Sequence, residues 1–161
     1  MEAARNHLIV TRDLILKGTV EPVLGRLSDH LRNYERPMLT LLDATATWLQ
    51  IDATQELPKV SVALRRILLA HEYVDMSGDP HMQAMNATGV GRRYRIVMAS
   101  LPGLLLVGGL KTLPNARHGF LVLEEPSVES AGGGTEGVAE AVKDLPYLLV
   151  NEDLIEAYYA V

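Results

Sequence analysis

One order of features occurs twice in this chain, and it limits the possible folds more than any single motif does. His7-Leu8-Ile9-Val10-Thr11 is followed by an apolar run, Leu14 to Val20, with Gly18 inside it; Tyr94-Arg95-Ile96-Val97-Met98 is followed by Leu104 to Leu110 with Gly108 inside it. Met38 to Ala44 then parallels Phe120 to Pro126, with Asp43 near the end of one and Glu124-Glu125 near the end of the other. Leu57-Pro58-Lys59 and Leu145-Pro146-Tyr147 open the closing segments, which reach Ile67-Leu68 and Leu154-Ile155. Both stretches cover 68 residues, 7–74 and 94–161. Shared order is harder to reach by chance than shared composition, so the spacing implies a tandem duplication of one β-rich unit.

Within the unit the apolar runs are short, rich in β-branched residues and bounded by turn chemistry, which reads as strands. Gly18 and Gly108 mark bends, because a glycine lets a sheet turn sharply where a side chain would clash. Ser28 and Asp29 beside Leu27 and Leu31 predict one or two helical turns with an N-cap serine, ended by Asn33 and Pro37. Met38 to Ala46 is apolar at both parities, so neither face of that strand is expected to be left fully in water. Asp52 to Pro58 reads as a turn, and Lys59–Leu64 with Ile67–Val74 as a hairpin tipped by Arg65-Arg66. Asp75 to Arg93 reads as a linker, with Ser77-Gly78-Asp79-Pro80 as a turn and Gly89-Val90-Gly91 adding freedom. In the second unit the helix is cut down to Leu113–Arg117, and Ser130–Gly137 is a grown loop before a short helical stretch, Val138–Lys143. The expected core includes Ile9, Leu16, Leu39, Leu41, Val62, Ile67, Leu69, Ile96, Leu106, Leu121, Leu123, Leu149 and Ile155.

Hydrophobic residues at 48% against 22% charged describe a globular chain able to bury a core. No apolar run reaches the roughly 18 residues needed for a membrane-spanning helix, and the N-terminus lacks a signal-peptide layout, so a cytoplasmic location is the expectation. The absence of cysteine removes disulfides, thiolate metal sites and cysteine nucleophiles together. Residues 1–93 hold eleven basic and eleven acidic residues, whereas 94–161 hold four and nine, so the whole net charge of −5 sits in the second half. That half is a poor surface for a phosphate backbone. The first half keeps Arg65-Arg66 and Arg92-Arg93.

A glycine-bent strand pair, a short helix, an acid-tipped strand and a closing hairpin in under 70 residues resemble a five-stranded Sm-like small barrel. More narrowly, the chain resembles an uncharacterised bacterial family of Sm-like domains with the pattern R-x-S-D-x-L-N, an F-L-x-L-T-D-A strand and a final V-N-x-x-x-I strand. Arg26, Ser28, Asp29, Leu31, Asn33, Leu39, Leu41, Asp43 and Ala44 carry it in the first unit, and Val150, Asn151 and Ile155 in the second. The first unit departs at Asn33, one position late, and at Ala63-Leu64-Arg65; the second lacks the Ser-Asp helix. The resemblance implies an all-β fold with short helices, built as two tandem Sm-like barrels, 1–74 and 94–161, joined by 75–93. It implies no activity.

The chemistry-bearing residues point away from catalysis. Asp43 and Glu124-Glu125 read as strand-end carboxylates that accept from a following turn, since acid–base work needs two convergent acids. His71, Asp75, Asp79 and His81 have the donor types for zinc or manganese but not a spacing that one element would hold, so no metal is expected. Ser28, Asp29 and His30 are neighbours on one helical turn and point apart, unlike a nucleophilic triad. Gly132-Gly133-Gly134-Thr135-Glu136-Gly137 lacks the lysine of a phosphate loop, and Gly89-Val90-Gly91 lacks the third glycine of a dinucleotide turn, so no cofactor is expected. Arg65, Arg66, Arg92 and Arg93 are the candidate contact residues. Arg65-Arg66 would meet RNA or nucleotide phosphate, or the acidic Glu152-Asp153 at the same place in the second unit, within one chain or between chains. The expectation is a non-enzymatic binding or assembly module that self-associates through unpaired strand edges, with a symmetric dimer as the simplest closed form.

Overall fold

A computed structural model describes residues 7–21, 27–31, 37–51, 53–73, 89–115 and 119–161. The strands are β1 (His7–Val10), β2 (Leu14–Glu21), β3 (Met38–Trp48), β4 (Ala53–Ala63), β5 (Leu69–Glu72), β6 (Arg92–Met98), β7 (Leu105–Leu110), β8 (Phe120–Ser130), β9 (Tyr147–Asn151) and β10 (Ile155–Ala160). Among the described residues the helices are α1 (Leu27–Leu31) and α2 (Glu136–Val142), and 3₁₀ turns occupy Leu64–Arg66 and Glu152–Leu154. The fold is all-β with short helices. All ten strands join one open antiparallel sheet in the order β10-β6-β7-β8-β9-β5-β1-β2-β3-β4. The first half contributes β5-β1-β2-β3-β4 and the second β10-β6-β7-β8-β9, the same internal order in each.

The two halves are joined into this one sheet by the pairing of β5 with β9, where Leu69 lies opposite Val150 and Ala70 opposite Leu149. The packing gives the reason. One core cluster combines Leu8, Val10, Ile15 and Leu69 of the first half with Ile96, Leu106, Val138, Leu148 and Val150 of the second. The other combines Ile9, Leu16, Leu39, Leu41 and Ala70 with Leu149 and, at its margin, Phe120 and Tyr147. Strands β9, β5 and β1 therefore bury both faces, which is why all four residues of β1 are buried and why its sequence does not alternate. Every residue of the expected core is buried except Ile155, which is half-buried at the start of the edge strand β10.

Each half carries the same bulge. Gly18 falls between Lys17, opposite Thr45, and Thr19, opposite Leu42, so Asp43 and Ala44 together face one glycine. Gly108 falls between Val107, opposite Ser127, and Gly109, opposite Glu124, leaving Glu125 and Pro126 to face it. Asp43 and Glu125 are both left-handed, at φ 51° and 46°. The extra residue reverses side-chain parity: Leu39 and Leu41 point inward before the bulge, Ala44 and Ala46 after it. This accounts for a strand that is apolar at both parities. It also corrects the strand-end placement of Asp43, Glu124 and Glu125, which lie within their strands.

Two further expectations change. Ala53–Leu57 is strand, not turn, and Pro58 sits inside β4, where its missing N–H is tolerated because β4 is an edge strand. Strands β4 and β5 do not form a hairpin; β4 closes one side of its half and β5 the other, so Arg65-Arg66 lies on a crossing 3₁₀ turn. In the second half, residues 113–115 are not helical. Pro22, Asn33, Ser77–Pro80, Asp75, Asp79 and His81 lie outside the described residues.

Candidate interaction site

Asn151 ends β9 opposite Phe120, the first residue of β8, as Ala63 ends β4 opposite Met38. Its main-chain N–H donates to the Leu68 carbonyl at 2.9 Å, its Nδ2 donates to the Ile67 carbonyl at 2.8 Å, and its Oδ1 accepts from the Asp153 N–H at 3.1 Å. This buried side chain thus caps one 3₁₀ turn and ties it to the end of the other. Beside it opens a cleft of about 330 Å³, lined by Met38, Leu64 and Arg65 of the first half and by Phe120, Asn151 and Asp153 of the second. Apolar walls with one guanidinium and one carboxylate suit a planar or anionic group better than a bulk hydrocarbon.

The four arginines lie on two elements, Arg65 and Arg66 on the first 3₁₀ turn and Arg92 and Arg93 on β6. Arg65 lines the cleft; Arg66, next to it, is exposed and does not. Arg92 and Arg93 are the first residues of β6, so the linker reading of 75–93 runs two residues into a strand. Arg92 lies 5.9 Å from the centre of the Tyr94 ring. Arg65 and Asp153 come together because both 3₁₀ turns border the β5–β9 junction.

A second polar group is buried beneath that junction. Glu72 pairs with His7 Nε2 at 3.5 Å and accepts the Leu27 N–H at 3.3 Å, so it caps α1 from far along the chain; Ser28 lies inside the helix and not at its N-cap. His7 Nδ1 accepts from the Val20 N–H at 3.1 Å. The neighbouring His71 is buried, edge-on to Tyr73 at 4.9 Å and tilted against Tyr147 at 4.6 Å, and its Nδ1 has no hydrogen-bond partner among the described residues. Burial pushes His71 down to about 4 and Tyr147 up to about 12. Both are neutral at pH 7. Among the described residues no three histidines or carboxylates converge as a metal site.

No family model, curated protein or solved structure matches this chain.

The two outermost strands of the sheet are β4 and β10, and among the described residues their outer edges have no strand beside them. On β10, Tyr158 is 37% exposed, Tyr159 49% and the following Val161 61%. The apolar strand β5 is instead paired with β9. Phe120 and Asn151 were not among the residues that the sequence singles out for contact. The Val150-Asn151 pair was the available signal, but its partners come from the other half and no local pattern names them.

Proposed function

We propose that the chain is a tandem pair of Sm-like units acting as a non-catalytic assembly module, in which β10 of one copy pairs with β4 of the next. The observation that carries this reading is the β5–β9 junction. Strand β5 holds the place in its half that β10 holds in the other, and β9 the place of β4, so the chain already contains one example of the contact, and among the described residues its two matching edges have no strand beside them. Transferring the register of Leu69 with Val150 and Ala70 with Leu149 sets Ala157 opposite Val62 and Tyr158 opposite Ser61. Such a head-to-tail contact closes into a ring if its rotation permits, the smallest being a dimer. Light scattering behind size exclusion at micromolar concentration should give a multiple of the 17.7 kDa chain mass. A monomer at every concentration and salt would overturn the reading.

The cleft favours a second reading, RNA or nucleotide binding, because Arg65 offers a phosphate contact and Phe120 a ring on which a base can stack. Protein purified at low salt would then carry nucleic-acid absorbance that Arg65→Glu with Arg66→Glu removes. If the same pair dissociates the assembly instead, the basic turn serves the junction.

A further inference from the structure

We infer that the second half holds a docking groove for an extended basic peptide, which would add a strand to the free edge of β8 beneath α2. In the first half, β3 beyond its bulge is paired on both sides: Ala44, Thr45, Ala46, Thr47 and Trp48 lie opposite Leu57, Glu56, Gln55, Thr54 and Ala53 of β4. The matching part of β8 runs from Pro126 to Ser130, and β7 pairs with it through Val107 and Ser127, Leu106 and Val128, and Leu105 and Ser130. On its other side β9 pairs from Phe120 to Glu124, the Glu125 N–H donates to the Pro146 carbonyl at 3.1 Å, and beyond it no described strand lies against β8. Where the first half continues as strand, the second turns away into the glycine loop and α2.

The space left is a groove. It has a volume of about 480 Å³ between β8 and α2, with Pro126, Val128, Ala139 and Val142 on its walls and Glu136, Glu140, Lys143 and Asp144 around its rim. Val142 is buried and Val138 on the same helix is packed into the core, so α2 is held in place. Gly137 faces the first half, where a Cβ would make ordinary contact with Ile15 Cδ1 at 3.5 Å and Leu49 Cδ2 at 3.6 Å. An added strand would therefore enter a preformed slot, with the backbone of Ser127 to Ser130 as its ladder; Pro126 has no N–H to offer.

Charge selects the occupant. The rim carries three carboxylates and one lysine, and the nearby Glu129 is engaged bidentately by Arg95 at 2.6 and 2.8 Å. The surplus is negative, which favours a strand with lysine or arginine on its outward positions and small apolar residues inward. The surface is separate from the β4 and β10 edges, so its test does not depend on assembly.

The probe is the capped hexapeptide Lys-Val-Lys-Val-Lys-Val, compared with its Glu-Val-Glu-Val-Glu-Val counterpart, added to the isotope-labelled full chain. The lysine peptide should bind at least about tenfold more tightly than the glutamate one, as several rim charges acting together allow. Its binding should slow amide exchange at Ser127, Val128, Glu129 and Ser130. Ala139→Trp, which fills the groove, should abolish binding. If that variant does not fold, the exposed change Glu140→Lys should still weaken the lysine peptide and strengthen the glutamate one. Equal affinity for the two peptides, no binding by either, or protection appearing on β4 or β10 in place of β8 would overturn the inference.

Discussion

Asn151 Nδ2 lies 2.8 Å from the Ile67 carbonyl, a bond between the end of β9 and the segment leading into β5. The two halves are thus joined by a side chain as well as by a ladder. At the corresponding position of the first half stands Ala63, which has no such donor. Asn151→Ala leaves a buried carbonyl without this partner and removes the acceptor that caps Glu152–Leu154, so it should cost about 1–3 kcal/mol in urea unfolding. Asn151→Asp keeps the cap acceptor but sets a buried carboxylate against the Ile67 carbonyl oxygen, so it should be at least as costly. Full stability in either variant would show that the ladder alone holds the junction.

The matched glycines are not equal. A Cβ on Gly108 would fall 2.5 Å from Leu123 Cγ and 2.9 Å from the Glu124 carbonyl; on Gly18 the nearest atoms are the Leu42 carbonyl at 3.0 Å and Ala44 Cβ at 3.1 Å. Gly18→Val and Gly108→Val should both cost more than the roughly 1 kcal/mol of strand propensity. Gly108→Ala should lower the melting temperature further than Gly18→Ala. The reverse ranking would mean that the bulges relax differently from their static spacing.

Burial of His71 makes stability fall in acid. Its folded-state value of about 4 lies below the ordinary 6.5, so between these limits the unfolded chain binds more protons and stability rises with pH. As pH drops from about 6.5 to about 4 the loss should approach roughly 3 kcal/mol from this residue. His7 is also pushed down, chiefly by burial, and adds in the same direction, although Glu72 opposes its shift. Urea midpoints measured from pH 7 to pH 4 should therefore fall less steeply for His71→Phe than for the parent chain. Parallel slopes would assign the acid sensitivity to other groups.

Local patterns carried most of the strand order, and long-range pairing carried the rest. The positions of Gly18, Gly108, Pro58 and Pro146 were enough to align the halves, because sheet bends and prolines leave residue-level marks even where, as at Pro58, the proline lies inside a strand. The residues of β4 before Lys59 read as a turn because a proline normally ends a strand, and only an edge position tolerates one inside. The cap on α1 was credited to Ser28, whereas Glu72 reaches it across 45 residues of sequence, beyond any window of periodicity. The parity of β3 was legible as an anomaly, apolar on both sides, without revealing that Asp43 flips it. Most of the site was hidden for the same reason: Phe120, Asn151 and Arg65 meet only because β5 pairs with β9.

The transferred register provides the most direct test of edge-to-edge assembly. In the proposed contact Tyr158 and Ser61 stand directly opposite, so their side chains share one face of the sheet and interact as a cross-strand pair. Both are exposed within one chain, so changing them leaves the folded unit intact. Ser61→Lys with Tyr158→Lys sets two like charges against each other at every junction and should reduce the mass by light scattering to 17.7 kDa at low salt. Ser61→Glu with Tyr158→Lys sets opposite charges at the same place and should keep the assembly. Moving the lysine to Tyr159, on the other face, should break this compensation. A chain that assembles equally well with all three pairs associates through some other surface, and one that dissociates with all three fails the register while keeping the edge.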